Sequence, residues 1–213
     1  MENIKYNFLL AFILLLCGSS FSIAQDNESA YNSFIKGDYS KAIEKYSEQI
    51  KINQEYAPIF YNRALAYMNL NNQKAAIEDL KKAVQLDPKN ADAFYTLALA
   101  HTKLGEYQNA IENIDKAIEI NQNNAQYSYT KANIYYMLED DDNSISAYNR
   151  TIDLDPNIAM AYYGRAVAYT YKKENQKAKD DFNRFLAFKN VPQLYIDEAN
   201  RMLEAIKIAE EYE

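Results

Sequence analysis

The sequence predicts an all-α fold: five helix-turn-helix units closed by one further helix. Three observations predict it. First, Ala30, Ala64, Ala98, Ala132 and Ala166 recur 34 residues apart. The ladder Ala42, Ala76, Ala110, Ser144 and Ala178 keeps that period, and so does the bulky ladder Tyr46, Leu80, Ile114, Tyr148 and Phe182. Second, apolar residues within a unit recur at three and four positions, the spacing of an amphipathic helix. Third, the 213 residues include only four glycines and four prolines, and Ala, Leu, Ile, Lys, Glu and Asn are plentiful. That composition suits helices better than strands.

The N-terminus reads as an address. Met1 to Asn7 is short and mostly polar, and Phe8 to Cys17 is unbroken and apolar. Small residues, Ser22 and Ala24, follow. This is the layout of a secretory signal peptide, residues 1–24, with cleavage after Ala24. Export to a periplasmic or extracellular location follows. The apolar run is half of the roughly 20 residues that a membrane span needs. Two alternatives stay open: an uncleaved anchor, and an envelope lipoprotein through Cys17. Leu14-Leu15-Leu16-Cys17-Gly18 matches a lipobox only in part, because Leu16 is not small. Cys17 is the single cysteine, so no intramolecular disulfide can form.

The units then run over about 25–56, 57–90, 91–124, 125–158 and 159–190. In the third, Ala91 to Leu104 is the first helix (A) and Tyr107 to Ile120 the second (B). The alanine ladders mark places where helices approach closely. A larger side chain there would cost about 1–3 kcal/mol. Ala98 is therefore expected to face Ala110, with Ile114 beside them. The first unit is irregular, with Asp26 and Ser29 at normally apolar positions. The fourth is the weakest, with Ser128, Lys131 and Ser144 at apolar or alanine positions. Residues 191–213 form a capping helix that starts at Pro192. Its apolar face is expected to be Leu194, Ala199, Met202, Leu203, Ile206 and Ala209. A stack of repeats needs such a cap, polar on its outer side, to prevent end-to-end association.

The best-formed unit carries Phe94-Tyr95-Thr96-Leu97-Ala98, His101, Gly105-Glu106-Tyr107, Ala110, Ile114 and Ala117. Phe60 to Pro88 matches nearly as well. These residues resemble the tetratricopeptide repeat family, whose unit is 34 residues long. The resemblance covers about 27–190. It implies a right-handed α-solenoid whose concave groove, lined by the A helices, binds peptides.

Charge and motifs exclude other classes. The net charge is −7 and no basic stripe occurs, which disfavours nucleic acid. No phosphate loop, nucleophile elbow or metal-ligand motif is present, so no catalytic residue, metal or cofactor is assigned. His101 is the only histidine. It stands where Tyr67, Tyr135 and Tyr169 stand in other units, and reads as a packed aromatic substitute. Glu139 to Asp142 lacks the spacing and glycine of a calcium loop and reads as a solvated turn. Arg63 and Arg165 replace the leucine that the family prefers at the seventh position. Each coincides with an Asp sixteen residues on, which predicts salt bridges Arg63–Asp79 and Arg165–Asp181 between helices A and B. Capture of a ligand carboxylate by these arginines is the alternative.

Tyr61, Tyr95, Tyr129 and Tyr163 form one more ladder of the same period. At about 100° per residue they head a stripe turned away from the inward-packing positions. The stripe supplies the candidate partner-binding residues Tyr61, Leu65, Met68, Tyr95, Leu99, Tyr129, Asn133, Tyr136, Tyr163 and Tyr171. It also takes in Tyr31, Thr102, Met137 and Met160. Only the resemblance says that it faces the groove. Tyrosine offers large area, few rotors and a polar tip. The alternative is that these rings pack neighbouring A helices together. The chaperone-binding members of the family clamp a C-terminal carboxylate with Lys, Arg and Asn, and that set is incomplete here. The sequence thus points to an exported adaptor for a protein or peptide partner. The alternative is a structural or assembly component of an envelope complex, with any membrane contact made through its N-terminus.

Overall fold

The computed structural model describes residues 29–211. The N-terminal segment, with Cys17 and Ala24, lies outside the described residues. Helix α1 covers 29–35 as far as it is described. It is followed by α2 (Tyr39–Ile52), α3 (Ala57–Asn69), α4 (Gln73–Leu86), α5 (Ala91–Lys103), α6 (Tyr107–Ile120), α7 (Ala125–Met137), α8 (Asp141–Leu154), α9 (Ala159–Tyr171), α10 (Asn175–Leu186) and α11 (Gln193–Glu211). No strand occurs among the described residues. Odd-numbered helices to α9 are the A helices and even-numbered ones the B helices. The chain divides into two units, one ending at Ala100 and one beginning at His101.

Each A–B turn is made the same way. Gly37, Asn71, Gly105, Glu139 and Lys173 all have positive φ, between 56° and 78°. The residue after each returns its N–H to a carbonyl five residues back, as Asp38 does to Ser33 and Glu174 to Tyr169. This closes the last turn of the A helix. Glu139 and Lys173 bear a Cβ in this left-handed region, which costs on the order of 1 kcal/mol relative to glycine. The B helices then start on short polar caps. Asp38, Asn72 and Asp140 accept from the backbone N–H of Lys41, Ala75 and Asn143.

In the first unit, Ala42, Tyr46, Ile59 and Ala66 form one cluster with Ala30. Ala64, Ala76, Ile77 and Leu80 form the next, with Leu97 and Ala100. In the second unit, Ala132 and Tyr148 pack with Ala161. Every alanine of the two small-residue ladders is fully buried. Ser144 shows why a hydroxyl is tolerated in that series. It too is fully buried, and its Oγ donates to the Ala132 carbonyl at 3.1 Å.

Lys131, another of the three unusual residues of this hairpin, also has a partner. Lys131 Nζ lies 2.6 Å from Asp115 Oδ1 on the preceding helix α6. The fourth hairpin replaces apolar contacts by specific polar ones.

The last cluster gathers Tyr163, Val167, Phe182 and Phe185 against Ala199 and Ile206 of α11. The face of α11 differs from the sequence expectation. Tyr195 joins Met202 and Leu203 in packing against the cluster, whereas Leu194 is 66% exposed and Ala209 is also exposed. The reason is register. Tyr195 stands one full turn before Ala199, and Leu194 is rotated off that face.

Candidate peptide-binding surface

The candidate residues divide between the two units. In the first, Tyr61, Leu65 and Met68 rise from α3, and Tyr95 and Leu99 from α5. All five are half-buried. Tyr61 and Met68 pack against the cluster that contains Leu97, so these rings contribute to the core and also keep exposed area.

In the second unit, Tyr129, Asn133 and Tyr136 from α7 meet Tyr163 and Tyr171 from α9 around a cavity of about 370 Å³. Met137 and Met160 of the same stripe also line it, and so do Tyr148, Gly164, Val167, Tyr195, Glu198 and Met202, none of which the sequence assigns to the site. In the sequence Tyr148 is a rung of the bulky ladder. Being longer than Ile114, it reaches past the core, and its hydroxyl donates to Asn133 Oδ1 at 2.6 Å. Tyr195 and Glu198 come from the capping helix, which the repeat pattern does not describe.

Tyr163 differs from the expectation of an open ladder. It is only 9% exposed. Its ring lies 5.2 Å from those of both Phe185 and Tyr195, because α11 covers this end of α9. Tyr171 is the reverse, 64% exposed, with its ring 6.5 Å from Tyr136.

The phenols here are held neutral. Burial pushes Tyr148 far above the ordinary tyrosine range, with Tyr129 and Tyr136 adding to the shift. Burial does the same to Tyr163, reinforced by the neighbouring Glu198 carboxylate. Tyr129 and Tyr136 are also raised, first by burial. All four therefore remain hydroxyl donors at neutral pH.

Gly164 makes room for Tyr148. A Cβ at Gly164 would lie 2.3 Å from the Tyr148 hydroxyl oxygen and 2.4 Å from Cζ. Gly164→Ala is expected to destabilise the protein by about 1–3 kcal/mol. The added change Tyr148→Ile, the residue type at Ile114, should recover much of this. Urea unfolding of both variants checks it. Equal stability of Gly164→Ala and wild type would contradict the close approach.

The two arginines lie elsewhere. Arg63 donates from Nε and Nη2 to Asp79 at 2.7 and 2.6 Å, and from Nη1 to Ser47 on α2 at 2.9 Å. Arg165 repeats this on Asp181, at 2.7 Å for both bonds, and on Asn149 of α8 at 2.6 Å. Each guanidinium thus ties three helices together. The hydrogen bond to Asp79 leads the rise in Arg63's pKa; for Arg165 burial is the largest effect and lowers the pKa, and the hydrogen bond to Asp181, its charge and the nearby Tyr169 and Tyr162 together outweigh it. Ser47 and Asn149 escaped sequence reading, although each stands sixteen residues before its arginine. All three nitrogens of each guanidinium thus donate to protein acceptors, which makes the arginines ties between helices.

His101 is 4% exposed, and its Nδ1 lies 2.6 Å from Glu106 Oε2 across the α5–α6 turn. Among the described residues, no three His, Cys, Asp or Glu side chains converge as a metal site. Nor is any helix there long and apolar enough to cross a membrane.

Comparison with known proteins gives a consistent family. A TPR repeat model matches residues 30–71 and 65–105, and tetratricopeptide repeat models match 91–124 and 125–158. The crystal structure of MamA is 30% identical, with a TM-score of 0.72 over 74% of this chain and 92% of MamA. YrrB, described as a TPR protein with an unusual peptide-binding site, is 20% identical with a TM-score of 0.73. That match covers 82% of this chain and 90% of YrrB. A tetratricopeptide repeat protein from Parabacteroides merdae is 22% identical, with a TM-score of 0.67 over 89% of this chain and 72% of that one. No curated protein matches the sequence.

Proposed function

The chain belongs to the tetratricopeptide repeat family, and from that premise we propose that it is a non-catalytic scaffold that holds a polypeptide partner against its tyrosine-bearing A helices. The observation that carries this reading is the cavity in the second unit. Five of the candidate residues, Tyr129, Asn133, Tyr136, Tyr163 and Tyr171, line it together. Half-buried tyrosines on a rigid helical frame give contact area with little ordering cost on binding. Tyr61, Leu65, Met68, Tyr95 and Leu99 provide a similar face in the first unit. YrrB supports the reading only by analogy, since it shares the fold and is described as binding a peptide.

Export is part of the proposal. It rests on the three-part layout of residues 1–24, and the partner would then be met outside the cytoplasm.

The double variant Tyr136→Ala, Tyr171→Ala tests the function. Both residues keep exposed area, and neither belongs to the buried core. Wild type and variant are used to capture partners from the native source, with circular dichroism as the folding control. Binding should weaken at least about tenfold with helicity unchanged, as for a pair of central interface aromatics. Equal capture by both proteins would place the partner on another surface.

A further inference from the structure

We propose that the cavity of the second unit accepts the charged end of a lysine or arginine side chain from the bound polypeptide. This deepens the function proposed above and rests on it. Among the described residues, Glu198 is the only charged one lining the cavity, and no lysine or arginine lines it. Tyr163 and Glu198 share this lining, and the carboxylate lies near enough to the phenol to raise it, which sets the carboxylate beside the rings. Tyrosine faces attract a cation placed near the ring centroid. Tyr129, Tyr136 and Tyr195 offer such faces around the one carboxylate.

The approach to the cavity has the same sign. Tyr136, Met137 and Tyr171 also border a neighbouring depression of about 600 Å³, whose other lining residues are Glu139 and Asp141. Lys172 faces this acidic turn and is paired with Asp142. Burial raises the Asp141 carboxyl, with Asp142, Asp140 and Glu139 adding to the rise against the pull of Lys172. The turn therefore resists further negative charge.

These features separate the possible occupants. An anion would meet Glu198, Glu139 and Asp141, with no cation among the described residues of either lining. An uncharged apolar group would strip water from Glu198 and return no partner. A long basic side chain satisfies both demands. Its head reaches Glu198 and the ring faces, and its methylene stem lies along Met137, Met160 and Met202.

The experiment uses the whole chain and a matched set of short serine–alanine peptides. Each carries one central residue: lysine, arginine, norleucine or glutamate. Binding is read by titration calorimetry and by ring resonances of Tyr129, Tyr136 and Tyr195. The lysine and arginine peptides should bind at least about tenfold tighter than the norleucine peptide, with the glutamate peptide weakest. Glu198→Gln keeps the size and hydrogen-bonding capacity of the side chain, so folding should persist. It should abolish the preference for a basic residue by weakening the lysine and arginine peptides, and it should not weaken the norleucine peptide, which no longer has a carboxylate to desolvate. If norleucine matches lysine, or if Glu198→Gln keeps the preference, the cation assignment is overturned and the peptide-binding reading stands. If no peptide of any charge binds, both are overturned. Preference for phosphocholine over the lysine peptide would assign the cage to a lipid headgroup and overturn a polypeptide occupant.

Discussion

Asp181→Ala is expected to destabilise the protein by about 3 kcal/mol, the lower end for breaking a buried ion pair. The lower end applies because 17% of the Arg165 side chain is exposed, against 9% for Asp181. Removing Asp181 leaves two guanidinium donors without acceptors and leaves Arg165 held only by Asn149 and by stacking on Tyr162, 5.7 Å from the ring centroid. The charge can neither reach full hydration nor titrate away. The double variant Arg165→Leu, Asp181→Asn should regain most of the loss. It copies the combination that the third hairpin already carries at Leu97 and Asn113. A double-mutant cycle in urea, followed by circular dichroism, measures the coupling. A loss below about 1 kcal/mol for Asp181→Ala would mean that the pair behaves as a surface ion pair.

Phe185→Ala should cost about 3–5 kcal/mol, the usual price of deleting a buried aromatic ring. Phe185 is fully buried in the cluster that docks α11, with its ring 5.2 Å from Tyr163. Its loss leaves a void on one side of Tyr163 and loosens the seat of Tyr195. In repeat proteins stability is close to a sum of local terms. The damage should therefore be local. Amides of α9 to α11 should lose protection in hydrogen exchange, while those of α2 to α4 keep theirs. Uniform loss of protection along the chain would contradict this locality. The same variant should weaken binding at the cavity, because α11 supplies Tyr195 and Glu198 to its wall.

The hairpins were legible because their determinants are local and repeated. One unit shows which residues are small, bulky or aromatic, and the next units restate it. The positive-φ residues at 37, 71, 105, 139 and 173 show the limit of composition. Two are glycine and three are not, yet the backbone adopts the same turn at each. Spacing located the turn, and residue type did not.

The polar ties were only half legible. The joint occurrence of Arg and Asp named Arg63 with Asp79 and Arg165 with Asp181. The backward partners Ser47 and Asn149 stand on the preceding B helix, and a search within one repeat does not reach them. Lys131 is the same case, since its acceptor Asp115 belongs to the previous hairpin.

By itself the sequence determined the all-α hairpin fold, its period and the identity of the residues that let helices A and B approach. Those contacts lie within some 34 residues, and each repeat states them again. Only the tertiary structure decided which tyrosines stay open and which close. Tyr163 and Tyr171 belong to the same stripe, but α11 covers the first and leaves the second 64% exposed. Tyr148, Gly164, Tyr195 and Glu198 share one cavity because side chains from α7, α8, α9 and α11 converge there. The end of a repeat array has no further repeat to predict it. Its cap is set by non-local packing, and the candidate binding site was built from that packing.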